Sequence, residues 1–273
     1  MVSRAATRPG RSPSDAGWLF EAYRVADAST VGAGWQRLVL DAPALATRAA
    51  PGQFMLVGSA AFSPRASGPD YLKHPFFFAS ISPEAGQVSI VFDRSAPFAW
   101  EMADWATGTE VECIGPLGKG FPVTAEPAAA PLVLIGSGYG VAALAAALAG
   151  LHHDRPVALF SVGAPPVSPD PGLLGVTSRI TCHVAGTLEQ AWQEAAEAMP
   201  GAEVWAAGPQ DFTQEVAGRA LGEGRRCLVT VEAPIACGVG ACLGCTSAGD
   251  GTWRTCREGP VVPAEWLKGV KRP

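Results

Sequence analysis

Four cysteines near the end of the chain, Cys237, Cys242, Cys245 and Cys256, stand in the spacing C-x4-C-x2-C-x10-C, with Gly238, Gly240 and Gly244 between them. The segment from Glu232 onward is rich in Cys and Gly and too small to build a core of its own, so something covalent must organise it. The plant-type 2Fe-2S pattern spaces its first three ligands in the same way. Three thiolates on one tight loop can wrap a cluster because the glycines permit positive φ and leave backbone N–H groups close to the sulfurs. A structural zinc site is the alternative. Its usual form is two C-x2-C pairs, which the four-residue first gap fits poorly. The other cysteines, Cys113, Cys182 and Cys227, sit in apolar strand patterns and read as small buried hydrophobes.

The rest of the chain divides by texture into segments expected at 1–17 (a disordered tail), 18–125, 126–231 and 232–273. From Trp18 to about Val123, short strand patterns are separated by Gly and Pro with no long helical period, which predicts a small antiparallel β-barrel. Within it Val88, Ile90 and Phe92 alternate onto one face, Val111 and Cys113 repeat the pattern, and Ser59–Asp70 reads as a loop. After the Pro-Ala linker at Glu126–Pro131, strand and helix alternate, the signature of a doubly wound, mostly parallel α/β domain. Strands are expected at Leu132–Ile135, Pro156–Val162, Ile180–Val184, Val204–Ala207 and Cys227–Val231. Helices are expected from near Tyr139, after Thr187 with a capping box to Gln190, and from Pro209 to Leu221.

Two glycine-rich turns fall at the ends of strands in that second domain. Gly136, Gly138 and Gly140 follow the first strand and open a helix, a context in which a helix N-terminus can hold a pyrophosphate; a tight strand-to-helix turn explains them equally. Ala207-Gly208-Pro209 sits in the corresponding place after a later strand, where ligands of such sheets bind. The loop from Gly115 to Phe121 reads either as a phosphate loop or as the joint between two domains.

The order of these parts, with Pro51-Gly-Gln-Phe54 and the motifs around Cys237–Cys242 and Thr255–Pro260, resembles the electron-transfer subunit of class B dihydroorotate dehydrogenase, within the ferredoxin-reductase-like superfamily. The resemblance covers the chain from about residue 18 to its end. It implies FAD on the barrel, NAD on the α/β domain, and a 2Fe-2S cluster linking that FAD to the flavin of a partner catalytic subunit. By position, His74, Pro75, Phe76 and Phe77 match the family's Arg-Pro-Phe-Ser flavin motif, without its charge and hydroxyl. An ungapped match puts Asp93 where the family has an Arg, and Ala96–Ala99 at its glycine loop; a one-residue slip brings Arg94 to that position instead. Losing two or three charge-assisted contacts weakens FAD by roughly two or more orders of magnitude. Phe77, Phe78 and Phe98 are then expected to fill the vacated space. The NAD match falls on Gly136, Gly138, Gly140, Gly208 and Pro209, and Ala207 replaces a family Cys beside the nicotinamide.

The expected function is therefore single-electron relay between a flavin-containing partner and FAD, NAD or another carrier, with no catalytic residue of its own. His74, His152, His153 and His183 are scattered, and His152 and His153 read as a solvated helix end. A stand-alone NAD(P)H-flavin reductase and a cluster-stabilised assembly subunit with vestigial nucleotide sites are the rival readings. The net charge of −5 gives no basic field for nucleic acid, and the longest apolar stretch, Val141–Leu151, is too short to cross a bilayer. Seven cysteines behind an N-terminal stretch with no apolar signal core point to a reducing compartment, hence the cytoplasm. The apolar turn from Gly259 to Trp266 is expected at the partner interface, with Trp266 as its anchor; a Trp packed back on its own domain is the alternative.

Overall fold

The computed structural model describes residues 17–31, 34–59, 72–96, 99–102, 104–123, 130–151, 155–163, 180–248 and 252–267. All but the last residue of the expected tail, most of the Ser59–Asp70 loop, Phe98, His152, His153 and most of the Pro-Ala linker lie outside them.

The first sheet uses β1 (Leu19–Val31), β2 (Trp35–Asp41), β3 (Phe54–Ser59), β4 (His74–Phe77), β5 (Ser80–Ser82), β6 (Gln87–Asp93) and β7 (Glu110–Leu117). The one-turn helices α1 (Pro43–Ala46) and α2 (Ala99–Met102) interrupt it. All pairings are antiparallel and the order is β4-β3-β7-β1-β2-β6-β5. The sheet curls until β4 meets β6, where the Phe76 and Phe92 rings lie 6.0 Å apart. Alternation decides which residues fill it: Val88, Ile90 and Phe92 point inward with Leu38, Leu40, Met55, Val57, Val111 and Cys113.

The second sheet is built from β8 (Leu132–Ser137), α3 (Tyr139–Ala149), β9 (Val157–Val162), β10 (Ile180–Ala185), α4 (Leu188–Ala198), β11 (Glu203–Ala207), α5 (Gln210–Gly222) and β12 (Cys227–Thr230). A short hairpin of β13 (Thr246–Ala248) and β14 (Thr252–Arg254) follows, then β15 (Val261–Pro263). The order is β10-β9-β8-β11-β12-β15, parallel except for β15. Every residue of β11 is buried, and β8 and β9 are buried except at their last residues, as parallel strands covered on both faces must be. Cys182 is only half-buried, not the fully buried hydrophobe expected, because β10 is the edge strand; Cys113 and Cys227 are buried.

Three joints position the site. Helix α3 is Ala-rich and buried along nearly all its length, so it packs closely on β8 and β11 and also meets β5 and β6 of the first sheet. The loop after β7 inserts Phe121 into the α/β core, stacked on Trp205 at 5.0 Å. That loop serves as a joint: Gln53 Nε2 donates to the Gly118 carbonyl (2.8 Å), and Lys119 N–H donates to the Gly259 carbonyl. The C-terminal segment is divided between both partners. Its β15 extends the α/β sheet, while the cysteine loop lies on the outer face of the barrel. Helix α4 is capped by Thr187 Oγ1, which accepts from Gln190 N–H (3.2 Å); Gln190 Oε1 returns to Gly186 N–H, one residue earlier than the expected box. None of the described helices is long and apolar enough to cross a membrane.

Candidate functional site

The four cysteines are brought together by a loop and a hairpin. Cys245 and Cys256 are buried in one apolar cluster with Phe54, Leu56 and Leu117 of the barrel wall; Cys237 is half-buried and Cys242 is exposed. The hairpin returns the chain so that Thr255 N–H donates to the Cys245 carbonyl (3.0 Å), and the Cys245 and Cys256 sulfurs lie 3.2 Å apart. Cys242 N–H points at the Cys237 sulfur (3.4 Å) and Gly244 N–H at the Cys242 sulfur (3.5 Å). Burial alone would raise the Cys237 thiol, but N–H groups of Cys242, Val239 and Ala241 together with the Cys242 side chain outweigh it and bring Cys237 down to about 6. Burial pushes Cys256 the other way, up to about 12, and the adjoining Cys245 adds to the shift.

Arg254 braces this arrangement from outside. Its backbone N–H and its guanidinium both donate to the Glu258 carboxylate (2.8 and 2.7 Å), and its Nη1 donates to the Gly240 carbonyl (3.1 Å). The loop half and the hairpin half of the cysteine set are thereby joined. Backbone N–H groups aimed at sulfur and paired, buried thiols are what an iron-sulfur cluster requires of its ligands. Among the described residues, no three His, Cys, Asp or Glu groups converge on one point as a single ion would need.

Gly238 lets the loop reach the barrel. It has φ of +69°, and a Cβ there would stand 2.7 Å from Leu117 Cδ1 and 2.9 Å from Leu56 Cδ1. Gly238→Ala is expected to cost about 1–2 kcal/mol for the left-handed backbone, with further overpacking against the wall. The check is iron per chain and the rate at which visible absorbance bleaches on warming: iron is expected to fall, and bleaching to run several-fold faster.

Beside the cysteines, between the barrel, α3 and the start of the C-terminal segment, lies a cavity of about 560 Å3. This is within the range that takes small ligands and cofactors, roughly 300–1,000 Å3. Trp35, Phe54, Phe76, Phe77 and Tyr139 supply aromatic walls; His74, Asp93, Gln210 and Glu232 are its polar residues. Phe77 and Tyr139 stack in parallel at 6.0 Å, and the Tyr139 hydroxyl donates to Glu232. Burial, then the Glu232 charge, holds the Tyr139 phenol above its usual value. The Asp93 carboxylate accepts from Ser95 Oγ and Ser95 N–H (2.7 and 2.8 Å), which lowers its pKa.

The sequence-matched residues His74, Pro75, Phe76 and Phe77 all line this cavity. Asp93 lines it too, whereas Arg94 is exposed and absent from the lining, so the ungapped match describes the wall. Phe78 does not fill the space: strand alternation turns it, fully buried, into the barrel core, and of the expected aromatics Phe77 alone is on the wall among the described residues. The flat aromatic walls of this cavity suit a flavin's tricyclic ring. A pyrophosphate fits less well, since the described lining has two carboxylates and no Lys or Arg. Trp35, Tyr139, Glu232 and Thr255 were not identified as wall residues from sequence; a hydroxyl residue directly preceding a ligand cysteine was the available signal for Thr255.

The glycine turns meet at the carboxyl ends of β8 and β11, where the strand order reverses. Gly140 is pressed on Ala207: a Cβ there would stand 2.0 Å from the Ala207 carbonyl oxygen. Gly208 adjoins Ser137, and Pro209 is the residue before α5. Gly136, Gly138, Gly140, Gly208 and Pro209 thus gather at the carboxyl ends of these two strands. Close packing already demands Gly140, as the tight-turn alternative held.

Comparison with known proteins adds to this picture. Residues 232–268 match the family described as the iron-sulfur cluster binding domain of dihydroorotate dehydrogenase B. The chain is 28% identical over 236 residues to the electron transfer subunit of dihydroorotate dehydrogenase B (NAD(+)) from Bacillus caldolyticus, covering 78% of this chain and 85% of that protein. Its counterpart from Geobacillus thermodenitrificans is 26% identical over 250 residues, covering 83% and 90%. Among solved structures, a chain of the NADH-dependent reduced ferredoxin-NADP oxidoreductase superposes with a TM-score of 0.73 at 18% identity, covering 90% of this chain and 89% of that one. The ferredoxin reductase of carbazole 1,9a-dioxygenase gives 0.61 at 20% identity, covering 76% and 64%. The resemblance read from the motifs holds, and the fold is ferredoxin-reductase-like: a curled antiparallel sheet, an α/β sheet and a C-terminal segment that matches an iron-sulfur cluster binding family.

Proposed function

We propose that this chain is the electron-transfer subunit of a flavin-dependent oxidoreductase complex, in which Cys237, Cys242, Cys245 and Cys256 hold a 2Fe-2S cluster. The observation that carries the reading is adjacency. Thr255, the neighbour of Cys256 in sequence, lines the cavity, and Phe54 and Phe77 belong both to the cavity wall and to the apolar cluster around Cys245 and Cys256. A flavin held there would exchange electrons in pairs or singly, and the cluster one at a time, which is the chemistry the two groups supply when bound.

The residues of the chain act as a holder. Phe54, Phe77 and Tyr139 exclude water from the space beside the thiols, Arg254 keeps the two halves of the cysteine set together, and the N–H groups of Cys242 and Gly244 face sulfur. His74, Pro75, Phe76 and Phe77 bound the flavin, and Gly136, Gly138, Gly140, Gly208 and Pro209 form the crevice for a nicotinamide dinucleotide. Substrate-level acid and base chemistry belongs to a flavin-containing catalytic partner, as the names of the relatives suggest. The complex is cytoplasmic and binds no nucleic acid.

The test is an anaerobic spectrum of the purified full-length chain, with iron, acid-labile sulfide and acid-released flavin quantified. About two irons, two sulfides and one flavin per chain are expected. A chain reconstituted with iron and sulfide that retains neither would overturn the reading. A second reading, a cluster-only relay whose flavin resides wholly in the partner, is favoured by the acidic polar lining, Asp93 and Glu232. It predicts the same iron with no flavin.

A further inference from the structure

The cavity discriminates by charge as well as by shape. Its carboxylates come from two parts of the fold, Asp93 at the end of β6 and Glu232 just after β12, and the described lining contains no Lys or Arg. Both are engaged by neighbours. Asp93 accepts from the Ser95 hydroxyl and N–H (2.7 and 2.8 Å), bonds that favour its ionised form, and Glu232 accepts from the Tyr139 hydroxyl. The chain as a whole carries a charge of −5, which adds to a field of the same sign.

These surroundings rank the flavins. Riboflavin, FMN and FAD share one tricyclic ring and differ in the tail: a neutral ribityl chain, a phosphate, or a pyrophosphate carrying adenosine. The aromatic surface of Trp35, Phe54, Phe77 and Tyr139 acts on the ring, which is common to all three, and so gives no preference among them. The tail decides. A phosphate beside Asp93 and Glu232 is repelled, with no described cation in the lining to offset the repulsion, whereas a neutral ribityl chain is not.

We propose that this cavity holds a flavin by its ring and selects the phosphate-free form, riboflavin, over FMN and FAD, with Asp93 and Glu232 as the residues that set the selection. This rests on the reading of the cavity as a flavin site. The order of affinities is the reverse of that expected where Arg side chains or a helix N-terminus grip the phosphate.

The experiment titrates flavin-depleted full-length chain with riboflavin, FMN and FAD in turn, following flavin fluorescence at pH 8, above the ordinary range of imidazole ionisation. Riboflavin is expected to bind about 10-fold more tightly than FMN at low ionic strength, and the gap to narrow to about 2-fold in roughly 0.5 M salt. The double variant Asp93→Asn, Glu232→Gln removes both charges while its amide oxygens can still accept the Ser95 and Tyr139 bonds. It is expected to bring FMN to within about 2-fold of riboflavin at low salt. Should the double variant not fold, the salt series on the wild type decides. FMN or FAD binding the wild type as tightly as riboflavin, or more tightly, at low salt would overturn the proposal. So would a gap that neither salt nor the double variant narrows, since its cause would then lie in shape. A wild-type chain that binds none of the three removes the flavin reading itself, an outcome distinct from equal binding of all.

Discussion

Cys256→Ser is expected to abolish the visible absorbance of the purified chain and to reduce its iron to less than half. Cys256 is 1% exposed and its sulfur lies 3.2 Å from that of Cys245, so the serine oxygen would sit in an apolar cluster against Phe54, Leu56 and Leu117 with little tendency to ionise. The loss reaches beyond one ligand. Among the described residues, the segment from Glu232 to Gly259 has no core of its own apart from that small cluster, so its order is coupled to what the thiolates bind. Limited proteolysis should cut between residues 237 and 256 in the variant and not in the loaded wild type. The barrel and the α/β sheet keep separate cores and should remain folded by circular dichroism. Cys227→Ser provides the contrast: Cys227 lies buried in the α/β core and its replacement should cost stability while leaving iron unchanged. Equal iron in wild type and Cys256→Ser would refute the ligand assignment.

The second large effect is expected far from the cysteines. Arg155 and Glu203 form a salt bridge at 2.8 Å with both side chains less than a tenth exposed. Arg155 also donates to the Ala130 and Pro131 carbonyls, and Glu203 accepts from Trp205 Nε1 (2.9 Å). These bonds tie together the beginnings of β8, β9 and β11, at the end of the sheet opposite the glycine turns. Glu203→Ala leaves a buried guanidinium unpaired and strands the indole N–H, a loss of about 3–5 kcal/mol. The midpoint of thermal unfolding should fall by on the order of 10 °C. Glu203→Gln keeps an acceptor for one of the two donors and turns its NH2 on the other, so it should cost less than Glu203→Ala while remaining clearly destabilising. A fall of under 2 °C for Glu203→Ala would mean that water replaces the carboxylate and that the pair is not sealed in the fold.

How much of this was legible depends on how local each signal is. The cysteine set was readable because ligand spacing is a property of one short segment. The barrel strands were readable because Val88, Ile90 and Phe92 alternate within a single strand, and the parallel strands because Leu132–Ile135 and Val204–Ala207 are unbroken apolar runs. The expectation for Phe78 rested on its bulk beside the matched positions and passed over the same period of two, which sends it into the barrel core while its neighbour Phe77 faces the cavity. The cavity wall was legible in part. The His74–Phe77 match fell on it, but Trp35, Tyr139, Glu232 and Thr255 come from four distant parts of the chain, and no local pattern brings them together. Cys182 departed from expectation for a related reason, since which strand lies at an edge is a fact of sheet order and leaves no mark on the strand itself.

The division of the C-terminal segment between both halves of the molecule has a mechanical meaning. Its cysteine loop is seated on the barrel and its final strand is sewn into the α/β sheet, so the segment works as a clasp across the seam that the cavity occupies. Opening that seam would require peeling β15 from β12 or lifting the loop from Leu56 and Leu117. Electron tunnelling falls off steeply with separation. A clasp that holds the four cysteines and the cavity in one frame would make the gap between a cluster and a ring bound there a dimension set by the fold.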